Sequence, residues 1–596
     1  MEKQKERKDI NVNDTWDLTL IFKTDEDFYK ELDKVTKEIN DITKYQGHIL
    51  DNSNNLLSFL KQSDEDERKL YKLYYYAHLK LDQDTANTIY QEMEGKISNL
   101  LQEYSILTSF VMPELMNGDY EQVLKFIKEN KELEIYRFNL ENIYRYQSHS
   151  LNHDEEKLLS TLSKSLDTAE KTFESLTDAD INFPDIVVDG KTYPLNESNY
   201  SVYMDSPNRE IRKNAFNNLL GTYGNYKNTL ASTFSGNVEL LTSMAKIKKF
   251  NSSLEASLYP DNIDKSVYNN LIDTINKHLD VLYKYYDLKK ESLNLSELHL
   301  YDIYRTMVSD YDKSYSFDEA KEIVMDALSI LGEDYINNLS KAFSERWIDK
   351  YNNKGKRGGA YSSGFYDTKP YLLLNFEGKY NDVTTLAHEL GHSMHTYYSC
   401  SNQPYNLSSY NIFVAEVAST VNELILVRYL LKKSTDKSEK LFLLNKLMEL
   451  YKATIYRQVM FAEFERDMHA SLESGEILTN EYLCSKYYEL VKRYFGDGVV
   501  IDENIKNEWM RIPHFYYNFY VYKYAIGLSC ATKIVNDIES GKVNDYLNFL
   551  KTGGSMYPSE ELLVANVDIK DPKLYLEAIN AFNNYIDEYK KIMKGE

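Results

Sequence analysis

The chain has 596 residues, 42% of them hydrophobic, and a formal net charge of −23. That is ample apolar material for a large core, but the charge has the wrong sign for a protein that wraps nucleic-acid phosphates or lies on an anionic bilayer. Nucleic acid and membrane are therefore not expected partners. The three cysteines, Cys400, Cys484 and Cys530, are far apart and odd in number, which indicates neither a disulfide framework nor a thiolate metal site.

Glycine (22) and proline (10) are scarce, so long helices are expected rather than many short strands. Met1 to Asp14 is polar and lacks the apolar centre of a secretory signal. No run of about 18 apolar residues occurs. The expected location is the cytoplasm. Trp16–Phe22 (WDLTLIF) is a short apolar patch. From Asp25 to about Asn182 apolar residues recur at helical steps, as in Leu70, Leu73, Tyr74, Ala77 and Leu81. The first β signal is Phe183–Leu195 (FPDIVVDGKTYPL), where two β-rich runs flank Asp189-Gly190, a type I′ turn pair. This hairpin is taken to close an N-terminal helical lobe, residues 1–200, ahead of a second domain, residues 201–596. Helical pattern resumes at Asn208 and continues past Lys290. Asn352–Gly364 (NNKGKRGGAYSSG) is rich in turns and precedes Tyr371–Phe376 (YLLLNF), which reads as a buried strand. Helices then run to the C-terminus. No fixed-period repeat is present, which argues against a solenoid.

The chemistry concentrates in Thr384–His395, TTLAHELGHSMH. Residues four apart on a helix lie about 40° apart around its axis, so His388 and His392 share a face and can meet one metal ion. Glu389, rotated by about 100°, can sit beside that ion and take a proton from water without ligating. Two histidines and a carboxylate point to Zn2+, one per chain, with a fourth position for water. A third histidine ten positions after His388 would mark one known class, but that position is Tyr398. A glutamate nineteen residues after His392 would mark another, but that position is Asn411. Glu416 is the first carboxylate after the motif and lies in a further helical pattern, Phe413–Glu423 (FVAEVASTVNE). A turn near Gln403 and Pro404 would let the two helices pack as neighbours. Glu423, seven residues on and nearly on the same face, competes with Glu416 as ligand. The reading makes Glu416 the ligand and gives Glu423 or Asp382 the task of accepting the other ring N–H of a ligand histidine. His395 is expected to be a hydrogen-bonded core histidine.

At these residues the chain resembles the oligoendopeptidase F branch of the M3 peptidases, the superfamily of thimet oligopeptidase and neurolysin. WDLTLIF, NREIRKNAF (Asn208–Phe216), GKRGGAYS (Gly355–Ser362), TLAHELGHSMH, FVAEVASTVNE and HFYYNFYVYKYAIG (His514–Gly527) carry the likeness. It implies His388, His392 and Glu416 as zinc ligands. It also implies a histidine, matched by His514, and two tyrosines seven apart, best fitted by Tyr517 and Tyr524 with Tyr520 and Tyr522 as neighbours. The mammalian relatives carry a Gly-rich loop in this stretch that this sequence lacks. The implied fold is mainly α, a two-lobed helical shell around a deep substrate channel. A small β element is expected beside the zinc-binding helix.

The expected activity is zinc-dependent endopeptidase cleavage of short unstructured peptides, with Glu389 as general base and His514, Tyr517 or Tyr524 donating to the oxyanion. Gly358 and Gly359, with Tyr361 beside them and the strand at Tyr371–Phe376, are expected to hold a substrate backbone by main-chain hydrogen bonds. No obligate protein partner is indicated. The competing reading, a helical binding protein with a purely structural zinc, leaves Glu389 without a use.

Overall fold

The computed structural model describes residues 4–308 and 313–595. It is 72% helical, which makes the fold mainly α. No helix among the described residues is long and apolar enough to cross a membrane. Contacts group the chain into two compact units, each assembled from three stretches. The first takes residues 1–150, 312–429 and 534–566. The second takes 151–311, 430–533 and 567–596. The expected boundary at residue 200 falls inside the second unit.

In the first unit, helix Ser53–Gln83 is the longest element. Asn52 starts it by accepting hydrogen bonds from the N–H groups of Asn54 and Asn55, a side-chain N-cap. Leu56, Leu70, Leu73 and Ala77 line its buried face and join Trp16, Phe28, Val35 and Ile97 in one apolar core. A three-stranded sheet runs into that core. Its order is β4 (Ile348–Asp349), β6 (Tyr371–Leu373), β5 (Tyr361–Ser363), with β4 parallel and β5 antiparallel to β6. Tyr371 and Leu373 belong to the core cluster. The Tyr371 ring meets Trp16 edge-on at 6.2 Å, and its hydroxyl donates to the Asp17 carbonyl at 2.8 Å. The WDLTLIF patch thus anchors the sheet. The expected strand at Tyr371–Phe376 is realised only over its first three residues. Beyond them the ladder continues irregularly, with the Leu374 and Phe376 N–H groups reaching the carbonyls of Asp349 and Lys350.

The second unit contains the expected hairpin: β1 (Ile186–Val188) pairs antiparallel with β2 (Lys191–Tyr193). Asp189 and Gly190 both have positive φ, 50° and 73°, as a type I′ turn requires. A two-residue parallel pair, β3 (Leu298–His299) with β7 (Val499–Val500), completes the strands among the described residues. NREIRKNAF is explained here. Asn208 caps helix Arg209–Asn225, and Arg209 and Arg212 both bind the fully buried Asp302, at 2.8 and 2.6 Å.

Candidate metal centre and active site

The motif lies on helix Tyr380–Asn402, which has no proline. Val383, Leu386, Ala387, Leu390 and Met394 form its buried side. Asp382 lies at its start and is engaged there: one carboxylate oxygen accepts the N–H groups of Glu377 and Lys379, at 3.1 and 2.8 Å. It does not take up the histidine-supporting role for which it was a candidate. The chain turns at Gln403 and Pro404, as expected, and re-enters helix at Ile412–Lys433, which carries Glu416 and Glu423.

These two helices cross almost in backbone contact. A Cβ placed on Gly391 would stand 2.6 Å from the Ser419 Cα and 2.7 Å from the Ala418 carbonyl oxygen, where ordinary contact begins at 3.4 Å. Only glycine permits this approach. Asn422 ties the crossing further by donating to the Ala387 carbonyl at 3.1 Å.

The approach brings ligand-type atoms of His388, His392 and Glu416 within 4.8 Å of one another. Glu416 Oε2 lies 3.4 Å from His388 Nε2 and 3.6 Å from His392 Nε2. A tetrahedral zinc with bonds of about 2.0–2.1 Å has ligand-to-ligand edges of about 3.3–3.4 Å, close to the two separations that Glu416 makes with the histidines. Each ring is also supported from behind. His388 Nδ1 lies 3.3 Å from Glu423 Oε2, and His392 hydrogen-bonds the main chain of Ala415. Metal-binding histidines commonly have such partners. Ser419, one turn beyond Glu416, donates to Glu416 Oε2 at 3.2 Å and steadies that carboxylate.

The titratable groups of the cluster perturb one another. Burial works against charge on His388, but hydrogen bonds to Glu416 and Glu423 outweigh it and raise its pKa to about 10. Burial and the neighbouring His388 depress His392 to about 4. The His388 hydrogen bond holds Glu416 down at about 2. Glu389 is 7% exposed. Burial raises its pKa to about 7, with the Glu416 charge assisting, against the lowering effects of His388 and the Ser362 main chain.

Ser362 belongs to β5, which bonds only to β6, so its other edge has no strand partner among the described residues. Ser362 Oγ also meets Ser393 Oγ at 2.8 Å, fastening β5 to the motif helix. Gly358 and Gly359 are exposed on the loop leading into β5, and Gly359 has φ +82°. Asn375 staples that loop by donating to the carbonyls of Arg357 and Gly359, at 3.0 and 2.7 Å. The Lys356 side chain, fully buried, anchors its base on Asp349 at 2.6 Å. The Tyr361 hydroxyl is committed to Asp82 at 2.7 Å, which leaves its main chain rather than its phenol for a ligand.

The family to which the chain belongs follows from its likeness to known proteins. Residues 202–581 match the model of Peptidase family M3, and residues 114–183 match that of Oligopeptidase F. The chain is 43% identical to Oligopeptidase PepF of Bacillus subtilis over 99% of its own length and 88% of the relative's. The chain belongs to peptidase family M3. Among solved structures, a Chlamydophila abortus protein assigned as a peptidase superposes on the M3 chain with TM-score 0.94 at 38% identity, covering 99% of this chain and 100% of that one. Oligoendopeptidase-F from Enterococcus faecium gives TM-score 0.73 at 32% identity, covering 96% and 100%.

The remaining residues that the M3 resemblance singled out lie in the second unit. His514 sits in a short 3-10 turn, Pro513–Tyr516, and burial lowers its pKa. Its ring lies 5.6 Å from Tyr517, 6.4 Å from Tyr520 and 6.0 Å from Tyr524. Tyr522 faces inward and is buried, which removes it from the candidates for substrate contact. His395 is a core histidine, but not by hydrogen bonding: it stacks on Tyr410 at 3.7 Å, and neither ring nitrogen has a partner among the described residues. Sequence reasoning missed Gly391, Ser362, Ser393, Ser419 and Asn422. Of these only Gly391 left a signal, as a glycine in the middle of a helix, where it costs about 1 kcal/mol relative to alanine.

Proposed function

We propose that this M3 chain is a zinc-dependent endopeptidase of short unstructured peptides. His388, His392 and Glu416 hold the metal and Glu389 serves as general base. The observation that carries the reading is the convergence of those three donors beside a buried carboxylate whose pKa is raised to about 7. Zinc, when bound, supplies Lewis acidity that polarises the scissile carbonyl and makes water acidic near neutrality.

The rest is the work of the chain. A Glu389 carboxylate oxygen accepts the proton of the attacking water. It then returns that proton to the amine nitrogen as the C–N bond breaks. A pKa near neutrality suits a group that must both take and give. The Ser362 main chain, hydrogen-bonded to Glu389, fixes its direction. The open edge of β5, with Gly358 and Gly359 leading in, is suited to an extended backbone. The donor to the oxyanion is taken to be His514, Tyr517 or Tyr524. The printed names of the relatives, oligopeptidase and oligoendopeptidase, support peptides as the substrate class. We place the activity in the cytoplasm, with no obligate partner.

The test is metal analysis together with cleavage of a mixed peptide library, comparing wild type with Glu389→Gln. The expected result is about one zinc per chain in both and internal cleavage by the wild type alone. An active enzyme without metal, or full activity in Glu389→Gln, overturns the reading.

A further inference from the structure

The stretch from His514 to Tyr524 divides by burial. Phe515, Tyr516, Phe519, Val521 and Tyr522 are in the core, whereas His514, Tyr517, Tyr520 and Tyr524 are only partly covered or exposed. Between the two sets the backbone reverses through Asn518 and Phe519, with φ of 50° and 59°. Two successive left-handed residues without a glycine are costly, about 1–3 kcal/mol for a residue such as phenylalanine. Such a turn persists only where the surroundings impose it.

The surroundings are specific. Glu465, on helix Arg457–Glu473 and fully buried, accepts the Phe519 N–H at 2.6 Å. Its second oxygen has no partner among the described residues. Ser257 Oγ donates to the Asn518 carbonyl at 2.7 Å from the other side. The Phe519 ring is clamped between His469, at 4.4 Å, and Tyr268, at 5.9 Å. A buried carboxyl facing a single N–H is an expensive way to fill a core. A hydrophobe of similar length would fill the space without that cost but could not hold the amide.

We propose that Glu465 is a positioning residue: it holds the Asn518–Phe519 reversal that sets His514, Tyr517, Tyr520 and Tyr524 relative to one another. Its effect on catalysis rests on the role proposed above for His514 and the tyrosines. Glu465 touches no substrate and acts through the Phe519 amide alone. Burial raises its pKa to about 8, so near neutrality it is largely an uncharged acceptor, which glutamine can imitate.

The experiment compares wild type, Glu465→Gln and Glu465→Met by hydrogen exchange across residues 517–521, zinc content, and steady-state cleavage of a fluorogenic peptide. In Glu465→Met, exchange at Phe519 should speed by about tenfold or more, and kcat should fall by about 10- to 100-fold, as misplaced catalytic groups predict. KM should stay within about twofold and zinc content should not change. Glu465→Gln should restore kcat to within about threefold. Adding His514→Ala to Glu465→Met should cost less than His514→Ala costs alone, since both act through one group. A Met variant with wild-type kcat, or a Gln variant as slow as Met, overturns the proposal. Unchanged exchange at Phe519 overturns the anchoring itself. If the wild type cleaves no peptide, the proposed function fails on that result, while the exchange measurement still decides whether Glu465 holds the turn.

Discussion

Replacing Gly391 by alanine tests whether the helix crossing sets the metal site. The new Cβ would lie 2.6 Å from the Ser419 Cα and 2.7 Å from the Ala418 carbonyl oxygen, and both neighbours are backbone. Side-chain rotation cannot relieve that overlap. Restoring ordinary contact at 3.4 Å requires the helices to part by about 0.8 Å (3.4 − 2.6). Glu416 lies one turn before Ser419 on the moving helix, and its carboxylate is now 3.4 and 3.6 Å from the two imidazole nitrogens. A displacement of that size exceeds the tolerance of about 0.2 Å for metal–ligand distances. Zinc affinity should fall by about 10- to 100-fold, the range seen when supporting groups of a metal site are disturbed.

The effect on folding should be smaller. Overpacking costs about 1–3 kcal/mol, but alanine gains about 1 kcal/mol of helix propensity over glycine. The metal-free protein should therefore lose about 0–2 kcal/mol. Zinc affinity by chelator competition, followed by thermal melts of the metal-free protein, separates the two effects. Gly236→Ala is the control: it lies exposed within helix Lys227–Ile247, with nothing within 4 Å of its added Cβ. It should stabilise by about 0.5–1 kcal/mol without touching the metal. A Gly391→Ala protein with wild-type zinc affinity would refute the claim that this crossing positions Glu416.

Glu389→Gln should lower kcat by about 10²–10⁴-fold while zinc content by elemental analysis stays at the wild-type level. Glu423→Ala removes the acceptor 3.3 Å from His388 Nδ1 and should weaken zinc binding by about 10- to 100-fold, read by chelator competition. Glu465 also predicts a pH effect on stability. Its folded pKa, about 8, is above the ordinary value of 4.5, so its contribution is complete below about pH 4.5 and is lost as pH rises through 8. Denaturant melts of Glu465→Gln and wild type should therefore diverge in favour of the variant between pH 4.5 and 8, by on the order of a few kcal/mol. Parallel pH profiles would contradict this.

Local pattern was enough for much of this protein. The spacing of His388 and His392 is a helix property, so a shared face followed once Thr384–His395 was read as helix. Asp189-Gly190 dictates its own turn, and the hairpin follows from two residues. Glu416 was singled out by elimination and by family resemblance, because no other carboxylate lies between His392 and it.

What the sequence could not express was distance between elements far apart in the chain. Asp382 looked equivalent to Glu423 as a support for a ligand histidine. The start of its own helix claims Asp382, whereas the next helix carries Glu423 to His388. His395 stacks on Tyr410, fifteen residues on, and its ring nitrogens find no hydrogen-bond partner among the described residues. Glu389 acquires its direction from Ser362 only because β5 is bolted to the motif helix through Ser393. The grouping of residues 1–150 with 312–429 and 534–566 likewise arises from packing that periodicity does not encode. The residue types and their local geometry were thus legible from the chain alone, since helix and turn conformations are short-range. The approach of Gly391 to Ser419 and of Glu465 to Phe519 was decided by tertiary structure, because close packing is set jointly by residues that no local pattern links.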